Sequence, residues 1–227
     1  MSHSNLRILI QRVAAKQNGQ LFITTHNSLI STRLELSNII ILHSNDGNTP
    51  TMLNDLSAET SKYFMKAPPA NILEFAISDR VILVEGPSEY MLFEKFYETV
   101  TNHKPETDGV NIIDVRGLSF KRYLELSKLI GEKTAVVTDN DHDYKRHCVD
   151  KYSDYAQTNN IKIFFSQDNK QNTFEVVLYN NNRNLCNELF GNAALEYMLK
   201  NKTESAYQLL LSEKEIIVPE YTRRAIE

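Results

Sequence analysis

Three aspartates stand at alternate positions, Asp139, Asp141 and Asp143, directly after the apolar run at 135–137. Carboxylates only a few ångströms apart raise one another's pKa and destabilise a fold unless a cation lies among them. Carboxylate oxygens are also the ligands that a hard divalent ion such as Mg²⁺ prefers. The motif alone fits either a solvated acidic turn or a metal site, and a second acidic strand end upstream favours the metal site.

The second carboxylate also follows a strand. The β-forming run 81–84 ends in Glu85, which places this side chain at the carboxyl end of a strand, where open α/β sheets bind ligands. Gly86 then permits a tight turn, and Ser88 is a suitable N-cap for the next helix. Glu89 lies in the first turn of that helix, where it either reaches the same spot or is simply favoured by the helix dipole.

The elements that must position these acids predict an α/β fold. Alternation of strands and helices is typical of a parallel sheet covered by helices. Apolar runs predict strands at 81–84, 110–115, 134–138 and 161–165, with helices between them at 88–100, 119–130 and 144–157. Polar loops are predicted at 166–172 and 180–184, and a small helical C-terminal region is predicted at 192–199, 203–211 and 219–227.

One further carboxylate lies in an unusual setting. Glu175 stands inside the apolar segment 173–178, where an unpaired carboxylate would be costly to bury. The side chain is therefore either exposed or paired with a cation.

The first part of the chain has a different organisation. A strand is predicted at 20–28 and another at 38–42, and Asp46-Gly47 is a hairpin signal with a return strand at 51–53. The Pro-Pro pair within 66–71 marks the domain boundary. We therefore expect two domains, 1–75 and 76–227.

Composition limits the function classes. The chain has 227 residues, is 41% hydrophobic and 24% charged, and carries a net charge of −4, so it is no general polycation for nucleic acid. If the chain binds DNA, metal ions and local basic groups must supply the attraction. Residues 145–147 are either such a basic group or an ordinary solvent-exposed face. Two cysteines and the lack of a signal peptide or long apolar run predict a cytoplasmic protein without a membrane partner.

An apolar strand that ends in Glu-Gly is followed by a helix and later by an apolar strand that ends in Thr-Asp-Asn-Asp. This pattern resembles the Toprim domain. Topoisomerases, bacterial primases and several nucleases share this domain. The resemblance implies a Rossmann-like parallel sheet on which Glu85, Asp139 and Asp141 hold Mg²⁺ or Mn²⁺.

The segment 24–27, Thr-Thr-His-Asn, resembles the switch-histidine segment of ABC-type ATPases. The resemblance implies that His26 lies near the γ-phosphate of ATP, although as a bare tetrapeptide it also fits an ordinary buried or loop histidine. The sequence contains no Gly-x-x-x-x-Gly-Lys-Ser/Thr phosphate loop. We therefore expect 1–75 to be the C-terminal remnant of an ABC-type ATPase domain, with no ATP hydrolysis unless the missing half is supplied.

An ABC-type tail followed by a Toprim domain resembles the OLD (overcoming lysogenisation defect) family of ATP-dependent endonucleases. That family includes the Gabija nuclease and retron-associated nucleases. The resemblance implies a Mg²⁺-dependent DNA endonuclease of anti-phage defence that forms homo-oligomers and has a defence-system partner protein. It also implies that Glu89 and Glu175 are metal ligands and that Lys202, otherwise read as a surface lysine, neutralises charge on the scissile phosphate.

These roles combine into a one- or two-metal mechanism of phosphodiester hydrolysis. Glu85 and Asp139 would hold one ion with Asp141 beside it, and Glu89 and Glu175 would complete a second. If only one ion binds, Glu85 becomes the general base. Asp143 is expected either to support the metal ligands from behind or to lie in solvent. Two alternatives stay open: a topoisomerase- or primase-like Toprim enzyme, and a non-catalytic assembly fragment.

Overall fold

The computed structural model describes residues 40–42, 50–52, 55–66, 70–116 and 120–227, together with positions 13 and 24. The chain divides into two compact units, Met1–Ile77 and Ser78–Glu227. The strand predicted at 20–28 lies outside the described residues. The assignment of 1–75 to an ABC-type ATPase therefore stays a prediction.

The described part of the first unit contains a small antiparallel sheet and two helices. Strands β1 (Ile40–Ile41) and β2 (Thr51–Met52) pair so that Ile40 lies opposite Met52. This pairing confirms the strand and return strand predicted on either side of the hairpin signal. Helices α1 (Ala58–Lys66) and α2 (Ala70–Ile77) follow.

The second unit is built on a four-stranded parallel sheet, which confirms the predicted α/β class. Its strand order is β4-β3-β5-β6, and each neighbouring pair is parallel. The strands are β3 (Arg80–Val84), β4 (Val110–Asp114), β5 (Thr134–Val137) and β6 (Ile161–Phe164).

Helices cover the sheet and complete the predicted helical C-terminal region. They are α3 (Pro87–Thr101), α4 (Phe120–Ile130), α5 (Phe174–Asn181), α6 (Arg183–Phe190), α7 (Ala194–Lys200), α8 (Lys202–Leu211) and α9 (Glu220–Ile226). Helix α8 packs on α3, and α9 packs on β5 and β6. Over the described residues, no helix combines the length and apolar character needed to cross a bilayer.

The central strand β3 is the apolar centre of this unit. Its residues 81–84 have no exposed surface, as expected for a parallel strand covered on both faces. Ile82 and Val84 share one cluster with Ala135 and Val137 of β5 and with residues of α3 and of all five C-terminal helices. Burial of each large aliphatic side chain in such a cluster contributes about 1.5–3 kcal/mol to the stability of the fold. The strand ends that carry the acids are therefore held by a well-packed core.

The chain path creates a crevice at the carboxyl end of the sheet. After β3 the chain passes to β4 on one side, and it later returns to β5 on the other side of β3. Open α/β sheets bind ligands at such a change of direction, beyond the carboxyl ends of the strands. Glu85 directly follows β3, and Asp139 follows β5 by one residue.

Three local predictions were wrong. Ser88 is not the N-cap of α3, since Gly86 occupies that position in an extended conformation and Ser88 lies buried inside the helix. The segment 144–157 is a π-helical turn, Lys145–Asp150, and a short 3₁₀ turn in place of the expected helix. The predicted loop at 180–184 is helical on both sides of Asn182, whose amide bonds the Leu178 and Ile217 carbonyls across the break.

Candidate functional site

Glu85 and Asp139 meet at the crevice between β3 and β5. The Glu85 carboxylate oxygen Oε2 accepts the Asp139 backbone N–H at 3.2 Å and the Thr138 hydroxyl at 3.4 Å. The two strand ends are adjacent because β3 and β5 pair directly, with Leu83 opposite Val136. The structure therefore places the two acids side by side.

Two more carboxylates approach from helix starts. Glu89 lies in the first turn of α3 and is 7% exposed, and Glu175 lies in the first turn of α5 and is 3% exposed. A helix N-terminus favours a carboxylate, which offsets part of the cost of burying it. Thr173 caps α5, because its hydroxyl accepts the Val176 N–H, and so fixes the turn that carries Glu175.

Lys202 supplies the cation that the burial of Glu175 requires. It begins α8, and its Nζ lies 2.9 Å from Oε2 of Glu175. Burial alone would lower the pKa of Lys202, but the hydrogen bond and the charge of Glu175, with the charges of Asp139 and Glu89, raise it overall. The ammonium group is thus held charged next to the acids.

The acids still exceed the positive charge among them. Burial, and then the charges of Glu85, Glu89 and Glu175, raise the pKa of Asp139 to about 9 against the opposing effect of Lys202. Burial is also the main reason why the pKa of Glu89 rises to about 8, with Glu175 and Glu85 adding to it. Such a buried excess of carboxylates favours the arrival of a cation.

Asp141 occupies a strained turn next to this group. Asp141 and His142 both have left-handed backbone, with φ of 46° and 69°. The Asp141 side chain is exposed, and its charge acts on Cys148 and Tyr152. Asp143 is exposed as expected, and its carboxylate accepts the Arg146 N–H at 3.1 Å.

The carboxylate oxygens of these acids suit a hard divalent ion, although their positions in the structure do not form a coordination shell. Within the described residues, no three His, Cys, Asp or Glu side chains are grouped as metal ligands. Lys202 stands among the acids and neutralises Glu175. Donors that are all carboxylate oxygens fit a hard ion such as Mg²⁺ or Mn²⁺. His26 lies outside the described residues, so its role toward ATP stays a prediction.

Sequence reasoning missed several groups around the acids. Tyr221 of α9 is 7% exposed, and burial, followed by the charges of Asp139 and Glu89, raises its pKa. Thr138 binds the Glu85 carboxylate, and Asn140 is almost fully buried behind the acidic turn. The residue types Thr and Asn within the acidic motif were visible signals.

Comparisons with known proteins find similar sequences and structures. Residues 77–141 match the family described as overcoming lysogenization defect protein-like, TOPRIM domain. The endonuclease GajA of Bacillus cereus (strain VD045) is 26% identical over 142 residues, which are 61% of this chain and 24% of that protein. The matched region thus spans about a quarter of that relative's length.

Solved structures of one protein also resemble the chain. They contain the C-terminal region of the OLD protein of Xanthomonas campestris pv. campestris. The structure phased with platinum has a TM-score of 0.49 and 20% identity, and the match covers 67% of this chain and 92% of that one. The structure phased with iodine has a TM-score of 0.48 and 19% identity, with 66% and 92% covered.

Proposed function

Because this chain carries an OLD-like TOPRIM domain, we propose that it is a divalent-metal-dependent DNA endonuclease. The observation that carries the proposal is the crevice between β3 and β5. There four partly or fully buried acids, which offer only oxygen donors, outnumber the cation that lies among them, Lys202. The similarity to an endonuclease supports the same activity.

We assign the acids as follows. Glu85 and Asp139 would hold one Mg²⁺ or Mn²⁺ with Asp141 beside it, and Glu89 and Glu175 would complete a second site. A bound ion would polarise the scissile phosphate and favour hydroxide at neutral pH. Asp139 and Glu89, whose pKa values lie at about 9 and about 8, give up protons as the ion binds.

The chain's own residues perform the remaining tasks. Lys202 neutralises negative charge that develops on the phosphate, since its Nζ already lies against a site acid at 2.9 Å. Glu85 takes the proton of the attacking water if only one ion is present.

The substrate is DNA, held through its backbone. Lys145 and Arg146 are exposed in the turn after the acidic motif, and Lys170 is exposed in the loop after β6. These side chains follow the carboxyl ends of β5 and β6, on the same edge of the sheet as the acids. They supply the local positive charge that a chain of net charge −4 needs to attract phosphates.

A topoisomerase-like reaction is less well supported. Transfer of a DNA strand to protein needs an accessible hydroxyl nucleophile. The tyrosines whose pKa values respond to the site charges, Tyr152 and Tyr221, are 2% and 7% exposed, and burial raises both pKa values. Hydrolysis by water needs no tyrosine nucleophile and therefore fits the site better than transfer of a DNA strand to the protein.

We also propose a biological setting for this activity. The endonuclease would work in anti-phage defence as a homo-oligomer in the cytoplasm, with a defence-system partner. ATP hydrolysis of this type needs a phosphate loop, and residues 1–227 contain no such motif, so we expect no ATP hydrolysis by this stretch of chain alone.

Supercoiled plasmid tests the activity. The purified chain is incubated with Mg²⁺ or Mn²⁺ beside Asp139→Asn, which removes a site carboxylate, and Asp143→Asn, which alters an exposed acid four residues away. We expect nicked or linear plasmid from wild type and Asp143→Asn, and none from Asp139→Asn. Discrete topoisomers would support the topoisomerase alternative. No cleavage by any form would support an assembly fragment and contradict the proposal for this chain.

A further inference from the structure

Asn140, the residue between the two proposed ligands Asp139 and Asp141, has an unusually complete set of hydrogen bonds. It is 1% exposed. Its Nδ2 lies within hydrogen-bond distance of three backbone carbonyls, those of Ser166 at 2.8 Å, Asp168 at 3.0 Å and Gln171 at 3.2 Å. Its Oδ1 accepts the His142 N–H at 3.0 Å.

These bonds connect the acidic turn to a loop far away in the sequence. A side-chain amide has two protons, so three carbonyls around Nδ2 share them and together fix the path of loop 166–172. The loop bonds back to the turn at two further points. The Asp141 N–H donates to the Asn172 carbonyl at 3.2 Å, and the Tyr144 N–H donates to Oδ1 of Asn169 at 3.0 Å.

The turn itself needs such support. Left-handed backbone costs residues other than glycine roughly 1–2 kcal/mol each, and Asp141 and His142 both adopt it. The bond from the His142 N–H to Oδ1 of Asn140 and the bond from the Asp141 N–H to loop 166–172 hold this conformation. Without them the turn would relax, and the carboxylate of Asp141 would move relative to Glu85 and Asp139.

We propose that Asn140 is a positioning residue: by clamping loop 166–172 to the acidic turn, it holds the Asp141 carboxylate where a divalent ion can use it. The inference rests on the proposed metal site. Asn140 does not itself touch the ion, because both ends of its amide are occupied by backbone partners. Residues that orient metal ligands typically change metal affinity by 10–100-fold when mutated.

The chain offers a matched control for this role. Asn182 is also buried, at 5% exposed, and its Nδ2 donates to the Leu178 and Ile217 carbonyls at 3.0 Å each. Its Oδ1 accepts the Ile217 N–H at 2.7 Å. It thus braces backbone as Asn140 does, but it lies beyond the far end of α5 from Glu175.

The test measures Mn²⁺ binding by isothermal titration calorimetry on the full chain without DNA. We expect Asn140→Ala to weaken binding at least 10-fold, whereas Asn182→Ala binds Mn²⁺ as wild type does after a comparable loss of stability. In metal-free protein, hydrogen exchange at the Asp141 and His142 amides should accelerate in Asn140→Ala alone. If Asn140→Ala does not fold, Asn140→Ser replaces it, since its hydroxyl is uncharged and keeps a short acceptor for the His142 N–H while the amide donor is lost.

Two failures are distinguishable. Wild-type Mn²⁺ affinity in Asn140→Ala, with binding lost in Asp139→Asn, would overturn the inference and leave the proposed metal site intact. Equal weakening by Asn182→Ala would also overturn it, because a general loss of stability would then explain the effect. No Mn²⁺ binding by wild type would overturn both the inference and the proposed metal site.

Discussion

The Asp139→Asn variant should become more stable while it loses its metal. The amide has the size of the carboxyl group and cannot ionise, so it avoids the cost of keeping an acid protonated beside Glu85, Glu89 and Glu175. A residue kept for function at the expense of stability behaves in this way, whereas a residue kept for folding does not.

The magnitude follows from the raised pKa. At pH 7 a carboxyl group whose pKa is about 9 stays protonated in the fold, although its ordinary value is 3.8. Holding it protonated costs at most about 4 kcal/mol, from 1.36 kcal/mol for each of roughly three pH units between 3.8 and 7. Burial of an amide has its own desolvation cost, so we expect Asp139→Asn to gain about 1–2 kcal/mol.

The gain depends on pH in a defined direction. A carboxyl group with a raised pKa in the fold stabilises the native state fully below its ordinary pKa, and that contribution is lost as pH rises toward the raised value. Metal-free wild type should therefore lose stability between about pH 4 and about pH 9 through Asp139, and up to about pH 8 through Glu89. The Asn variant should show a flatter profile.

The assay is urea unfolding in EDTA at pH 5, 7 and 9, with Mn²⁺ titrations on the same samples. Asp143→Asn is the control, since Asp143 is exposed and should change neither quantity. The reasoning would be refuted if Asp139→Asn were less stable than wild type at pH 9, or if its stability advantage did not grow with pH. Unchanged Mn²⁺ affinity would refute the assignment of Asp139 as a ligand.

Three further substitutions probe separate parts of the unit. Lys202→Met leaves the buried Glu175 without its ion-pair partner, so the free energy of unfolding without metal at pH 7 should fall by about 1–3 kcal/mol. Plasmid nicking should fall by about 10²-fold, and unchanged nicking would show that Lys202 has no part in the mechanism. Gly109→Ala should cost about 2 kcal/mol or more, because φ is +65° and the new methyl group would collide with the Asp79 carboxylate. Gly131→Ala, at φ +75° with nothing within 4 Å, should cost less in the same urea assay, and equal costs would contradict the collision.

Short-range patterns in the sequence predict the strands and the acids at their ends. Apolar runs bounded by polar residues identify β3 and β5 because a parallel strand is buried on both faces. Glu85 and Asp139 follow from those runs by position alone. The alternation of strands and helices predicts the class of sheet.

Contacts between distant segments could not be predicted in the same way. No local pattern states that β5 returns beside β3, which is what brings Asp139 to Glu85. The pairing of Glu175 with Lys202 spans 27 positions. The apolar segment around Glu175 indicates a cation partner if this acid is buried, but no local pattern identifies Lys202 as that partner. The Asn140 clamp reaches a loop about 30 residues away through backbone carbonyls, which carry no residue-type signal.

The prediction of an ordinary helix at 144–157, where the structure has a π-helical turn at Lys145–Asp150, failed for a related reason. The sequence of this turn, Lys-Arg-His-Cys-Val-Asp, is compatible with an ordinary helix. The turn starts from the clamped acidic motif, where the Tyr144 N–H donates to Oδ1 of Asn169, 25 residues away. Tertiary bonds therefore override local propensity at this site.

The most direct test of the central claim is anomalous diffraction from crystals of the chain grown with Mn²⁺. The account predicts an anomalous peak at the carboxyl ends of β3 and β5, within about 2.0–2.6 Å of oxygens from both Glu85 and Asp139. The same peak should be absent from Asp139→Asn crystals. A wild-type map without a peak in this crevice, with the Lys202 ammonium as the only cation among the acids, would contradict the account.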